Sequence, residues 1–137
     1  MHTNNSKKRI LIVEDEKLIC WSLQNVLTKF GYEIKTVHSG ENAIELFYTH
    51  SFDLIITDMK LPNIDGFKVA KVAKTLFPGI PVVMISAESN RVNEISAIDS
   101  FFEKPFDLRC LTFFIKDLIE NKNINTQPVG DITQQVE

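Results

Sequence analysis

The feature that most restricts the fold of this chain is an alternation of two kinds of segment. Short apolar runs rich in strand-forming residues stand at 10–13, 33–37, 54–57, 80–85 and 100–102. Between them, apolar residues recur at helical spacing. Leu18, Ile19, Leu23, Val26, Leu27 and Phe30 mark a first helix, ended by Gly31. Ala43, Ile44, Leu46 and Phe47 mark a second behind Ser39-Gly40-Glu41. Phe67, Val69, Ala70, Ala73 and Leu76 mark a third, which stops before Pro78-Gly79. A short polar fourth helix is expected over 90–97, and Leu108, Leu111, Ile115, Leu118 and Ile119 mark a fifth. Strand-then-helix repeated five times is a (βα)5 pattern. The first, third and fourth runs are nearly continuous apolar stretches, as strands covered on both faces are. The expected fold is therefore α/β, a parallel sheet with helices on both sides.

The 137 residues suffice for one domain, and at 44% hydrophobic they can bury a core without disulfides or a metal staple. Fifteen basic against 18 acidic residues leave a net charge of −3, which argues against an electrostatically driven nucleic-acid binder. The longest uncharged apolar run, 80–87, is too short to span a bilayer. The polar residues 1–8 lack the apolar centre of a signal peptide. Cys20 and Cys110, the only cysteines, have no metal-ligand spacing and read as small core or surface residues in a reducing cytoplasm. From 121 onward the chain is polar, carries Pro128 and Gly130, and keeps no sustained period. The expected organisation is a polar extension at 1–8, a folded domain at 9–120 and a polar linker or tail at 121–137.

In open α/β sheets, ligands bind beyond the carboxyl ends of the strands. Here Glu14-Asp15 follows the first run, Asp58 the third and Ser86 the fourth, while the fifth leads into Lys104-Pro105. Carboxylates gathered there would raise one another's pKa unless a cation sat among them. Oxygen donors without His or Cys favour Mg²⁺ or Mn²⁺ over zinc. An Asp beside such an ion, flanked by an ammonium and a hydroxyl, suits phosphoryl transfer, and it can itself be the nucleophile that forms an acyl phosphate. Taken singly, an Asp after a strand is commonly a cap or turn former, and a Lys-Pro pair is commonly surface. Their convergence at four strand ends carries the reading.

The runs Ile12-Val13-Glu14-Asp15-Glu16, Asp58-Met59-Lys60-Leu61-Pro62-Asn63-Ile64-Asp65-Gly66, Ser86-Ala87-Glu88 and Lys104-Pro105-Phe106 resemble the receiver domain of two-component response regulators. The likeness covers about residues 8–120. It implies a doubly wound, flavodoxin-like sheet of five parallel strands in the order 2-1-3-4-5. It implies Asp58 as phosphoacceptor, with Mg²⁺ (or Mn²⁺) held by Glu14, Asp15, Asp58 and the backbone carbonyl of Lys60. Lys104 would pair with the phosphoryl group, Ser86 would move to bond it, and Phe101 would be the aromatic switch position. Small Ala87 would leave the phosphoryl donor room to approach. The implied partners are a histidine kinase or phosphotransfer protein, and a downstream protein or a covalently following output domain. A homodimer through strand five and the last helix also belongs to the implied set, whereas direct nucleic-acid or membrane contact does not. The domain would catalyse only its own phosphorylation and dephosphorylation.

Several features depart from the family pattern. Glu14 stands where Asp is commoner and reaches one methylene further. Lys104 lies 18 positions after Ser86, roughly one helical turn fewer than usual, and Ala97-Ile98 replaces the usual Gly-Ala. A short fourth helix is expected, and with it an altered signalling face. Five of the ten Phe residues fall within 101–114. A core reading fits Phe102 and Phe106, whereas the helical wheel puts Phe113 nearly opposite the Leu111, Ile115 and Leu118 stripe, on an exposed, partner-facing side. Trp21 could contact a kinase or be partly buried, and His2, His38 and His50 do not cluster. A flavodoxin-like binding module would need a Ser/Thr/Gly-rich phosphate loop where Glu14-Asp15-Glu16 stands. Two further rival readings are an aspartyl-phosphate phosphatase and a receiver-like scaffold that is never phosphorylated. The first would want an Asp where Lys60 stands, and the retained Asp58, Ser86 and Lys104 oppose the second.

Overall fold

The structure is a computed structural model that describes residues 6–87 and 98–121. Its elements run β1 (Arg9–Val13), α1 (Lys17–Lys29), β2 (Glu33–Val37), α2 (Gly40–Phe47), β3 (Leu54–Asp58), α3 (Gly66–Leu76), β4 (Val82–Ser86), β5 (Ser100–Glu103) and α4 (Leu108–Asn121). The expected fourth helix at 90–97 and the segment 122–137 lie outside the described residues. The last expected helix is therefore α4, and it continues through Asn121.

All strand pairs are parallel, and the sheet order is β2-β1-β3-β4-β5, as expected. Alternation along each strand divides the core in two. Ile10, Ile12, Leu54, Ile56, Val83 and Ile85 face α1 and α4, meeting Leu23 and Leu27 from the one and Leu111, Ile115 and Ile119 from the other. Leu11, Val13, Ile55 and Val82 face α2 and α3, meeting Ala43, Phe47, Val69, Ala70 and Ala73. Both faces of β3 and β4 are covered, which explains their unbroken apolar sequence.

Three sequence expectations shift at the edges. Leu18 and Phe30 do not face the core and are 75% and 42% exposed, because α1 buries the narrower stripe of Cys20, Leu23 and Leu27. Ile80 is buried but precedes β4, its amide turned back to the Phe77 carbonyl. β5 extends through Glu103 and is only half-covered as the edge strand. Phe102 and Phe106 pack against the first core cluster, whereas Phe113 is 63% exposed.

This division predicts a contrast within α4. Ile115→Ala, which empties space between α4 and the sheet, should cost about 2–5 kcal/mol in urea unfolding. Phe113→Ser, two residues away, should change stability by less than about 0.5 kcal/mol.

Candidate functional site

At the carboxyl edge of the sheet, β1 and β3 lie side by side, so the residues that end them meet. Glu14 follows β1 and is fully buried. Asp58 ends β3 and is 5% exposed, and Asp15 stands between Glu14 and the head of α1. Oxygen atoms of Glu14, Asp15 and Asp58 all lie within 4.8 Å of one another. β4 lies against β3 and β5 against β4, which carries Ser86 and Lys104 to the same edge. The Lys104 amide donates to the Ser86 carbonyl at 2.7 Å and ties the end of β5 to that of β4.

The Lys104 ammonium is the centre of charge. It lies 3.1 Å from Asp58 Oδ2, 3.2 Å from Glu14 Oε1 and 2.8 Å from Glu16 Oε1. Burial works against that ammonium, but hydrogen bonds to Glu16 and Asp58 and the charges of Asp58 and Glu14 outweigh it and raise its pKa. Burial likewise disfavours a charged Glu14. The nearby Asp58 adds to the effect, and although the Glu16 amide and Lys104 oppose it, the Glu14 carboxyl is pushed up to about 7. Its Oε2 accepts the Glu16 amide at 2.9 Å, while Oε1 accepts no hydrogen bond. A buried carboxylate oxygen with no hydrogen bond, beside two more carboxylates and sharing one ammonium with Asp58, is the electrostatic setting of a divalent-cation site. The all-oxygen donor set fits a hard ion such as Mg²⁺.

The backbone around Asp58 is held from several sides. The Met59 amide donates to the Ile85 carbonyl, and the Lys60 amide donates to Asp58 Oδ1 at 3.2 Å. The Gly66 amide returns to the Met59 carbonyl, closing the loop between β3 and α3. A Cβ at Gly66 would run into the Asp58 carbonyl oxygen, so glycine is required there for close approach. Asn63 takes a positive φ of 68°, and the Asp65 side chain caps α3 by accepting the Lys68 amide. The result is a cleft of about 500 Å³ lined by Asp15, Glu16, Asp58, Lys60, Leu61, Pro62, Ser86, Ala87 and Lys104.

The candidate residues Glu14, Asp15, Asp58, Ser86 and Lys104 thus share one edge, and Lys60 lines the same cleft. Phe101 sits on β5 opposite Met84 and outside the cleft lining. Sequence reasoning missed two participants. Glu16 contacts Lys104 directly, and His38 Nδ1 lies 2.9 Å from the Glu14 carbonyl, to which it donates. His38 immediately follows β2, and that place at a strand end was the available signal.

The response regulator receiver domain family model matches residues 10–116. The chain belongs to this family. A curated relative, "Probable transcriptional regulator ycf27" of Cyanidium caldarium, is 33% identical over 136 residues, covering 94% of this chain and 54% of the relative. The chain therefore spans about half the length of that relative. Among solved structures, the receiver protein from Sinorhizobium medicae WSM419 is 29% identical, with a TM-score of 0.80 over 85% of this chain and 98% of its own. The CheY-like receiver from Methanospirillum hungatei JF-1 is 27% identical, with a TM-score of 0.79 over 86% and 98%. Response regulator TrrA from Thermotoga maritima, in complex with Mg²⁺-BeF, is 34% identical, with a TM-score of 0.75 over 81% and 98%. Among the described residues, no helix of this receiver is long and apolar enough to cross a membrane.

The raised Glu14 carboxyl has a consequence for stability. A carboxyl whose pKa is higher folded than unfolded favours the fold most below the unfolded value, and that advantage is lost as pH rises through the folded value. In EDTA, wild type should therefore lose stability relative to Glu14→Gln between about pH 4.5 and pH 7. The gap should reach about 1–3 kcal/mol. Parallel stability-versus-pH curves for the two proteins would contradict this assignment.

Proposed function

We propose that this receiver domain takes a phosphoryl group from a histidine kinase or phosphotransfer protein onto Asp58 and thereby switches a protein-interaction surface. The observation that carries the reading is the Lys104 ammonium 3.1 Å from Asp58 Oδ2, beside a carboxylate cluster that spans 4.8 Å. One Asp58 oxygen attacks the phosphorus of a phosphohistidine. The O–P bond forms as the P–N bond breaks, and the imidazole leaves with the electron pair. A Mg²⁺ ion, or Mn²⁺ in its place, held by Glu14, Asp15, Asp58 and the Lys60 carbonyl, would offset the charge on the phosphoryl oxygens.

Lys104 supplies the protein's own positive charge to the same oxygens. Ser86, buried at the end of β4, can turn its hydroxyl toward one of them. Phe101, on the neighbouring strand, would respond to that movement and transmit it to the outer face of β5 and α4. Ala87 leaves the mouth of the cleft open to the donor. Hydrolysis of the acyl phosphate by water resets the domain, and no separate substrate is turned over. The receiver unit is assigned to residues 9–120, with polar flanks at 1–8 and 121–137. The face bearing Phe113 would meet a downstream protein, a following output domain or a second copy of the chain. The cytoplasm is the compartment in which a kinase would supply the phosphoryl group.

Acetyl phosphate with MgCl₂ should add one phosphate to the wild-type chain, read by intact mass. Asp58→Asn and EDTA-treated wild type should take up none. Lys104→Ala should still gain some phosphate but leave the Phe101 NMR signals unchanged. A persistent adduct on Asp58→Asn would overturn the assignment.

A further inference from the structure

The ammonium of Lys104 has three N–H donors, and three carboxylates surround it. Its shortest contact is not with Asp58 or Glu14 but with Glu16, at 2.8 Å. Glu14 is fully buried, with Oε2 already holding the Glu16 amide, and Asp58 is fixed at the end of β3. The Glu16 side chain is 58% exposed and is the one carboxylate of the three that can swing into solvent without moving a strand.

A second observation concerns the helix that Glu16 begins. Glu16 is the N-cap of α1, yet its side chain makes no capping hydrogen bond. At the corresponding places of α2 and α3, Ser39 and Asp65 accept the amides of Asn42 and Lys68. The Glu16 carboxylate instead faces away from its own helix toward a residue 88 positions on. An ion pair this exposed contributes little to stability. Its consequence is occupancy of a donor that a phosphoryl oxygen on Asp58 would require.

We propose, on the reading of Asp58 as phosphoacceptor, that Glu16 is a positioning residue that holds the Lys104 ammonium in the resting receiver and yields it when Asp58 carries a phosphoryl group. Glu16 thus opposes the active state and sets how tightly the site binds a tetrahedral anion. Replacing it should favour that state through Lys104, without any new contact to the anion.

The test is calorimetric titration of beryllofluoride into the full 137-residue chain at saturating MgCl₂, with wild type, Glu16→Gln and Glu16→Asp. Both variants should bind roughly two- to fivefold more tightly than wild type, the range that loss of an exposed ion pair allows. Glu16→Asp is the discriminating variant. It keeps the negative charge but is one methylene shorter, and an Asp at an N-cap is drawn to the amides of its own helix. Its affinity for Mg²⁺ alone should equal that of wild type, whereas a disturbed fold would weaken both ligands. Tighter binding by Glu16→Gln alone would assign the effect to the general field of a carboxylate and overturn the proposal. Unchanged or weaker binding by both variants would overturn it as well. If neither wild type nor variants bound beryllofluoride, the reading of Asp58 would fall first and this proposal with it.

Discussion

One ammonium among four neighbouring acids is the interaction around which this receiver is arranged. Glu14, Asp15, Glu16 and Asp58 crowd the carboxyl edge of the sheet, and Lys104 reaches into them from just past the last strand. Left to themselves, buried carboxylates this close would force one another to stay protonated. Burial pushes the Glu14 carboxyl up to about 7 and the Asp58 charge adds to the rise, which the Glu16 amide and Lys104 offset only in part. The remainder is what a divalent cation would relieve. The same imbalance that weakens the metal-free fold thus makes the edge receptive to a cation and then to an anion.

Such a cluster persists only because the strands that carry it cannot move apart. β1, β3 and β4 are packed on both faces, with Ile10, Ile12 and Ile56 on one side and Leu11, Val13 and Ile55 on the other. The parallel order β2-β1-β3-β4-β5 then fixes which ends are neighbours. Backbone bonds finish the job locally: Met59 to Ile85, Gly66 to Met59 and Lys104 to Ser86 bind the three loops into one rim. Apolar burial supplies the rigidity, and the polar edge uses it.

The parallel sheet, its two-sided burial and the convergence of Glu14, Asp15, Asp58, Ser86 and Lys104 were legible in the sequence, and the resemblance to receiver domains supplied the strand order. Continuous apolar runs have few other folds open to them, and residues just past such runs must lie at one edge. What escaped was set by side-chain direction. Leu18 and Phe30 satisfy a helical count, yet α1 turns Cys20, Leu23 and Leu27 inward instead. Glu16 looked like one more acid at a helix start, and nothing in its neighbours announced a partner 88 residues away. His38 was passed over because it was weighed only as a clustering metal or catalytic histidine, and its place just past β2, where it bonds the Glu14 carbonyl, was not used. The need for glycine at 66 comes from contact with the Asp58 backbone, which the fold alone reveals.

The account rests most heavily on Asp58 forming a covalent acyl phosphate. Borohydride reduces an aspartyl phosphate to homoserine, which peptide mass spectrometry can locate along the chain. After treatment of the wild-type protein with acetyl phosphate and MgCl₂, homoserine should appear at position 58 and at no other aspartate. Homoserine at another aspartate, or phosphate retained on a serine or histidine with Asp58 intact, would contradict it.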